Sequence, residues 1–344
     1  MTKVFTDYHH GDLYYSLYLL FEKRLGWELY RPIGLDWFTQ GFWKIAEPYG
    51  NAQDTINQYL DINHDGWHPY RNLNGEHYLE DDIYYSYDPG HDYYHRAITL
   101  EKFKEMEFDV VMPTYEPHED PYRRLRDTFQ SKAKLVAQMG NTGQKSSCSY
   151  VIHSVPYIPK QGQRSFYYHQ EIDSGLYSYV LPRPTRKIYS FVNLYPYPDI
   201  YHSYKNNLHD VSMKYYGSGC PDGVLNGSHQ VSLKMQEANI GWHLKPQGGL
   251  GHSSLGWLAS GRPVITNMSQ MRSWGGDATA LFEPGVTCMD IEAYTVDQGC
   301  LELRKMLDPD ENLKWCERAL KRFKDIVNYE QEAQKLTKFL EGII

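Results

Sequence analysis

The chain lacks an excess of basic residues and lacks a long apolar run. Its 344 residues include 35 Lys and Arg against 43 Asp and Glu, which gives a net charge of −8. This balance excludes a basic footprint for nucleic acid spread over the whole chain, although it leaves room for a local basic face. No stretch approaches the roughly 18 apolar residues of a membrane-spanning helix. Because an apolar, strand-like segment begins at Lys3, we also expect no signal peptide.

The chain also lacks closely spaced cysteines. Its five cysteines lie far apart and form no CxxC pair: Cys148, Cys220, Cys288, Cys300 and Cys316. The spacing indicates neither a disulfide framework nor a zinc site. We therefore expect five reduced thiols in a cytoplasmic protein.

Aromatic residues, in contrast, are abundant: the chain contains 31 Tyr, 12 Phe and 8 Trp. This density is typical of surfaces that stack on flat or sugar-like ligands, and equally of aromatic packing in a core. The 41% hydrophobic and 23% charged residues are typical of a globular protein. The length suits two domains of ordinary size.

Alternating strand and helix patterns predict an α/β protein. A buried strand over 3–8 is followed by a helix over 13–25, in which leucines recur at helical spacing, and then by a strand over 27–31. A similar rhythm returns in the second half of the chain. We therefore expect two Rossmann-like domains, each built on a parallel sheet.

Turn formers near residues 174–187 separate the two halves. Residues 33–105 are rich in aromatics and His without a clear period, and we expect loops and short helices inserted between core strands. The predicted organisation is a first domain over 1–178 that contains this insertion, a second domain over 179–325, and a C-terminal helix over 326–344.

A glycine-rich turn before a helix, at 248–254, is the most informative local pattern. Glycines let a backbone approach a ligand closely, and a helix N-terminus offers free N–H donors and a positive dipole end. The pattern predicts an anion cradle suited to a diphosphate. The residues expected to contribute are Lys245, Gly249, Gly251, His252, Ser253 and Ser254.

The stretch KPQGGLGHSSLGWLASGRPVITN, residues 245–267, resembles the donor-binding segment of GT-B-fold glycosyltransferases of the family-4-like type. Further landmarks occur in the same order, including LFEPG at 281–285. The resemblance implies two Rossmann-like domains that face each other across a cleft, with a C-terminal helix that crosses back to the first domain. It also implies transfer of a sugar from a nucleotide sugar, expected to be a UDP-sugar, to an acceptor hydroxyl. That scheme requires no cofactor, no metal and no obligate protein partner.

The chain departs from this family pattern at three positions. Gly248 and Gly256 stand where retaining members usually carry glutamates, and Asn193 stands where an arginine for the diphosphate is usual. We include Asn193 among the expected donor-binding residues. The missing glutamates favour an alternative of another class, a non-catalytic module that binds a sugar or nucleotide.

The first strand-to-helix turn faces the cleft in this fold and contains His-His-Gly-Asp. Asp12 or His10 is predicted to accept the proton of the acceptor hydroxyl as a general base. The alternative is that Asp12 caps the helix. Residues expected to contact the acceptor or the sugar are His9, Gly11, Asn141 and His153, the last of which also fits a buried core histidine.

The aromatic and His-rich opening resembles bacteriophage-type glycosyltransferases, some of which glycosylate hydroxymethylated bases in DNA. The resemblance implies a hydroxymethylated base in phage DNA as the favoured acceptor and a location in the host cytoplasm. Arg123, Arg124 and Arg126 form the main basic cluster and would contact DNA phosphates, unless they form an ordinary solvated helix face. The alternative acceptors are a glycan, a lipid-linked sugar or a small metabolite.

The segment DINHDG, from Asp61 through Asp65 to Gly66, matches the first half of a calcium-binding loop. The twelfth loop position is Asn72 rather than Glu, and Pro69 interrupts the pattern. An Asx-rich turn is the alternative interpretation.

Overall fold

A computed structural model describes residues 1–6, 11–32, 77–81, 83–88, 90–98, 100–114, 116–140, 143–246, 251–273 and 276–344. The chain divides into two compact units. Unit 1 consists of Met1–Glu171 and Tyr329–Ile344, and unit 2 is Ile172–Asn328. The unit boundaries therefore fall at 171/172 and 328/329, whereas the sequence placed domain boundaries at 178/179 and 325/326.

The described part of unit 1 contains a mixed sheet of nine strands in the order β3-β4-β5-β2-β1-β6-β7-β8-β9. The strands from β5 through β2 and β1 to β9 pair in parallel. Their bounds are β1 Lys3–Thr6, β2 Glu28–Pro32, β3 His77–Glu80, β4 Ile83–Asp88, β5 Tyr93–Ile98, β6 Val110–Met112, β7 Lys134–Met139, β8 Tyr150–His153 and β9 Arg164–Tyr167.

The prediction of loops and short helices over 33–105 is wrong for the described residues between 77 and 98, which form strands, whereas the segment does end in a short helix over Leu100–Glu105. β4 pairs antiparallel with both β3 and β5, and β5 pairs with β2, so the three strands extend the sheet at its β2 edge. Tyrosines and β-branched residues favour strands, and Asp88 at the end of β4 and Gly90 between β4 and β5 are residue types that favour a hairpin turn. Residues 33–76, which make up the rest of the predicted insertion, lie outside the described residues.

The core of unit 1 joins the first helix to the last. Buried Leu17 and Phe21 share a hydrophobic cluster with Val4 of β1 and with Leu336 and Leu340 near the C-terminus. The C-terminal helix therefore packs on unit 1. The helices are α1 Gly11–Tyr18, which continues as a wider helical turn over Leu19–Arg24, α2 Leu100–Glu105, a 3₁₀ turn at Glu116–His118, α3 Glu119–Phe129 and α11 Tyr329–Glu341.

The described part of unit 2 contains five parallel strands in the order β11-β10-β12-β13-β14. The strands are β10 Lys187–Ser190, β11 Ser212–Tyr215, β12 Ile240–Trp242, β13 Val264–Thr266 and β14 Cys288–Asp290. The helices are α4 Pro198–Asn207, α5 Gly227–Glu237, α6 Gly251–Ala259, α7 Met268–Ser273, α8 Gly276–Leu281, a 3₁₀ turn at Ile291–Ala293, α9 Val296–Met306 and α10 Pro309–Ile326.

Close packing of α6 on the sheet requires a glycine in β12. A Cβ at Gly241 would lie 2.6 Å from the Trp257 indole, which is fully buried and stacks on Phe191. We expect Gly241→Ala to lower the free energy of unfolding by about 1–3 kcal/mol through overpacking, as measured by denaturant unfolding. Trp257→Leu vacates this space. Gly241→Ala is therefore expected to lower the free energy of unfolding by less in the Trp257→Leu background than in the wild type. A strictly additive double variant would contradict the packing account.

Many of the described tyrosines are buried in the hydrophobic core. Tyr14, Tyr122, Tyr201, Tyr204 and Tyr215 are at most 2% exposed, so their rings are unavailable to stack on a ligand.

The five cysteines are free thiols, and burial raises the pKa values of Cys148 and Cys316 to about 11. None of the helices in the described ranges combines the length and apolar character that a membrane span needs.

Candidate functional site

The first candidate site lies at one edge of the sheet in unit 2. Parallel strands present their carboxyl ends at the same edge, where α/β proteins commonly bind ligands. Asn193 follows β10 at this edge, Lys245 follows β12, and α6 begins at Gly251. Gly248 and Gly249 lie outside the described residues, so the structure describes only the two ends of the predicted glycine-rich turn.

Gly251 starts α6 with a φ of +72°, a conformation that side chains with a Cβ rarely adopt. A Cβ at this position would lie 3.6 Å from Lys245 Nζ. The ammonium group of Lys245 is therefore close to the first turn of a nine-residue helix, where the backbone N–H groups also attract anions. Burial lowers the pKa of Lys245, and an anionic ligand would favour its charged form.

Ser254 has a structural partner that the sequence did not reveal. Its hydroxyl lies 2.8 Å from Nε2 of His243, and both side chains are buried. Burial, with a smaller contribution from the charge on Lys245, lowers the pKa of His243 to about 3, so this imidazole is neutral. Ser254 therefore tethers the first turn of α6 to the end of β12, whereas His252 and Ser253 are half-buried.

Asn193 is exposed in the loop after β10, and its Oδ1 accepts a hydrogen bond from Ser218 N at 3.0 Å. A Cβ at Gly217 would lie 2.7 Å from that oxygen. The loop after β11 thus approaches Asn193 closely because residue 217 is glycine. The structure places Asn193 at the same sheet edge as Lys245, and its role in donor binding stays a prediction.

Gly256 occupies a buried position inside α6. A Cβ there would lie 3.0 Å from the Tyr177 ring and 3.2 Å from Met235 Sδ. A glutamate side chain at this position would displace both neighbours. At position 256, where the chain departs from the family pattern, Tyr177 and Met235 therefore fill the space that a glutamate side chain would need.

The second candidate site lies in unit 1, at the start of α1. Asp12 Oδ1 lies 3.1 Å from His91 Nε2, and Asp88 Oδ2 lies 2.9 Å from His91 Nδ1. His91 is 9% exposed, whereas the Asp12 side chain is 50% exposed. The Asp12 carboxylate is thus bound to an imidazole contributed by the β4–β5 hairpin.

The two carboxylates control the charge of His91. Burial lowers the pKa of this imidazole, but the hydrogen bonds and negative charges of Asp12 and Asp88 outweigh it and raise the pKa to about 9. His91 is therefore an imidazolium at neutral pH. Tyr15 stacks on its ring at 4.4 Å between centroids. Sequence reasoning missed His91 and Asp88, although Asp-Pro-Gly-His between two tyrosine-rich stretches is a recognisable hairpin turn.

The remaining predicted residues of unit 1 have varied surroundings. Gly11 is the first residue of α1. His153 is buried at the end of β8, its Nδ1 lies 2.8 Å from Val155 O, and its ring lies against Tyr157 and Tyr167. This environment fits a core histidine, and a contact with the sugar stays a prediction. His9, His10, Asn141 and the segment Asp61 to Asp65 lie outside the described residues.

The three arginines of α3 are largely matched by acids. Arg126 Nε lies 2.9 Å from Asp127 Oδ1, and Arg123 contacts Ser147 Oγ at 2.7 Å and Asp120 at 4.0 Å. Arg124 is exposed. The helix carries three acidic residues, Glu119, Asp120 and Asp127, against its three arginines, so its formal charge is zero.

In the chain as far as it is described, no group of three or more His, Cys, Asp or Glu residues is placed to hold a metal ion.

Solved structures with the same fold span essentially the whole chain. Sucrose-phosphate synthase from Thermosynechococcus elongatus matches with a TM-score of 0.63 at 11% identity, covering 100% of this chain and 99% of that protein. HepE from Anabaena, solved in complex with UDP, matches at 0.60 and 11% identity over 100% of both chains. The pneumococcal O-GlcNAc transferase GtfA, solved with UDP and GlcNAc, matches at 0.58 and 9% identity over 99% of both.

No protein-family model matches the chain, and no curated relative does. The structural likeness, together with the two α/β units, confirms the sequence prediction of a GT-B fold. At these identities the likeness establishes the fold alone.

Proposed function

We propose that the protein is a nucleotide-sugar-dependent glycosyltransferase whose donor is a UDP-sugar. The observation that carries the proposal is the geometry of the first turn of α6, where Gly251 removes side-chain bulk and Lys245 Nζ lies 3.6 Å from the Cβ position. The UDP complexes of HepE and GtfA support a uridine diphosphate as the ligand class.

In the proposed reaction the oxygen of an acceptor hydroxyl forms a bond to the anomeric carbon of the donor sugar. The bond between that carbon and the phosphate oxygen breaks, and UDP leaves with the electron pair. Asp12 in unit 1 accepts the hydroxyl proton. In unit 2, Lys245 and the N–H groups of α6 stabilise the charge that grows on the departing diphosphate.

A panel of UDP-sugars tests this function. The full chain is incubated with each sugar, UDP release is followed, and acceptor candidates are analysed by mass spectrometry for an added hexose or pentose. We expect release of UDP with one preferred sugar. Binding of UDP-sugars with no release onto water or any acceptor would instead indicate the non-catalytic binding module, which the glycines at 248 and 256 favour.

The acceptor is proposed only as a hydroxyl, with a glycan, a lipid-linked sugar or a small metabolite favoured over DNA. The arginines at 123 and 126 contact Asp120 and Asp127 within α3, so this helix offers little net positive charge to a polyanion. A hydroxymethylated DNA base and a bacteriophage source stay predictions. The free thiols fit a cytoplasmic location.

A salt series tests DNA directly. If DNA is the acceptor, affinity must fall with salt, and Arg123→Ala/Arg126→Ala should reduce the slope of log K against log salt by roughly 1.8, for two lost phosphate contacts. We expect weak DNA binding and the same slope of log K against log salt in the wild type and in the double variant. Strong, salt-dependent binding that the double variant weakens would restore DNA as the favoured acceptor.

A further inference from the structure

The Asp88–His91–Asp12 cluster connects the β4–β5 hairpin to the start of α1. A neutral imidazole has one N–H and can donate to one carboxylate, whereas an imidazolium donates from both nitrogens. The contacts at 2.9 Å and 3.1 Å engage both ring nitrogens with carboxylate oxygens. The geometry therefore requires the doubly protonated ring for both contacts to be hydrogen bonds.

The hairpin turn holds His91 in place. Asp88 O accepts hydrogen bonds from the backbone N–H groups of His91 and Asp92 at 3.3 and 2.8 Å. Asp88 Oδ1 accepts from Gly90 N at 2.7 Å, and a Cβ at Gly90 would lie 3.0 Å from that oxygen. With Tyr15 stacked on one face of the ring, the imidazole is fixed from the turn, from Asp88 and from α1.

We propose that His91 is a positioning residue of the glycosyltransferase site, which holds the half-exposed Asp12 carboxylate in the orientation that receives the acceptor hydroxyl. This role rests on the proposed function. Asp88 compensates the positive charge of the ring, so His91 remains protonated beside Asp12. His91 itself is 9% exposed, so we assign the contact with the acceptor to Asp12, whose side chain is 50% exposed.

Loss of the His91 proton removes one of the two hydrogen bonds. Since the pKa of His91 is about 9, turnover should be sustained below this pH and should fall as the pH rises through about 9. The titratable groups that face His91 among the described residues are Asp12 and Tyr15 of α1, Asp88 of β4 and Tyr93 of β5.

The test combines histidine NMR with a pH profile of UDP release on the full chain. The signal of His91 among the 15 histidines is assigned by its absence in His91→Gln. We expect a deprotonation midpoint near 9 in the wild type, lowered by about 1 unit or more in Asp12→Asn and in Asp88→Asn, because each substitution removes an opposite charge. The matched control is Asp92→Asn. Asp92 is exposed and accepts a hydrogen bond from the Tyr87 hydroxyl, and its φ of +56° is one that Asn tolerates.

In the same proteins, the fall of UDP release near pH 9 should occur in the wild type and in Asp92→Asn and should be absent from His91→Gln. A His91 midpoint near 6.5 in the wild type would overturn the proposal, as would a pH profile of His91→Gln identical to that of the wild type. If the wild type releases no UDP from any sugar while its His91 titration still responds to Asp12→Asn, the proposed function is wrong, and the positioning role is lost with it. If UDP is released but the pH profile does not depend on His91, only the positioning role is wrong. These two results distinguish the failure of the function from the failure of the positioning role.

Discussion

Asp12→Asn is expected to reduce turnover of the preferred UDP-sugar by about 10²–10⁴-fold, the range for loss of a general base. Asn retains an oxygen that accepts the hydrogen bond from His91, so the substitution removes the base and leaves the contact at 3.1 Å available. The helix start should be little affected, because Asn, like Asp, carries a side-chain oxygen that can cap a helix N-terminus. The melting temperature should therefore change little, and the measurement is the steady-state rate of UDP release.

Asp92→Asn makes the same chemical change on the hairpin that carries His91, at a carboxylate that accepts a hydrogen bond from Tyr87, and should leave turnover near that of the wild type. Wild-type turnover in Asp12→Asn would show that Asp12 is not the base. The prediction for His10, which lies outside the described residues, would then be tested by His10→Gln.

Lys245→Met is expected to weaken UDP binding by about 10–100-fold, as measured by calorimetry. A hydrogen bond to a charged group contributes roughly 1.5–3 kcal/mol, and each 1.4 kcal/mol corresponds to a tenfold change in affinity. Burial lowers the pKa of Lys245, because its charged form is poorly solvated there. Met has a similar length and no charge, so thermal stability should be equal or higher. Affinity and stability are thus expected to change independently.

Lys187→Met is the matched control, because Lys187 lies at the amino end of β10, the opposite end from the candidate site. It contacts Glu237 Oε2 at 3.6 Å on the surface, and such pairs contribute little to stability. Its UDP affinity should equal that of the wild type. An equal loss of affinity in both variants would indicate a general charge effect, and no loss in Lys245→Met would remove Lys245 from the site.

The parts of the structure that sequence reasoning predicted are those governed by local patterns. The apolar spacing of Leu13, Leu17 and Phe21 gave α1, and the glycine-rich turn followed by Ser253 and Ser254 gave α6. Periodicity failed for β4 and β5, because tyrosine-rich strands with polar neighbours resemble loops in composition. Packing in the sheet, not the local pattern, determines that these segments are strands.

The candidate sites were only partly predictable, because their key contacts join residues far apart in the chain. Asp12 was identified from its place in the first turn, but its partner His91 is 79 positions away. Likewise, Ser254 reads as a helix cap or phosphate ligand until His243, which is 11 positions earlier, is placed beside it. Such pairings depend on sheet order, and one sequence carries no direct signal for them.

Hydrogen–deuterium exchange of the full chain with and without UDP tests the central claim, that unit 2 binds the diphosphate at the start of α6. We expect UDP to slow exchange in peptides covering 251–254 and 243–245, while exchange in peptides of the opposite sheet edge, around Lys187, is unchanged. The same protection should be reduced in Lys245→Met at equal UDP concentration. Saturable UDP binding with protection elsewhere in unit 2, or no UDP binding at millimolar concentration, would contradict the account.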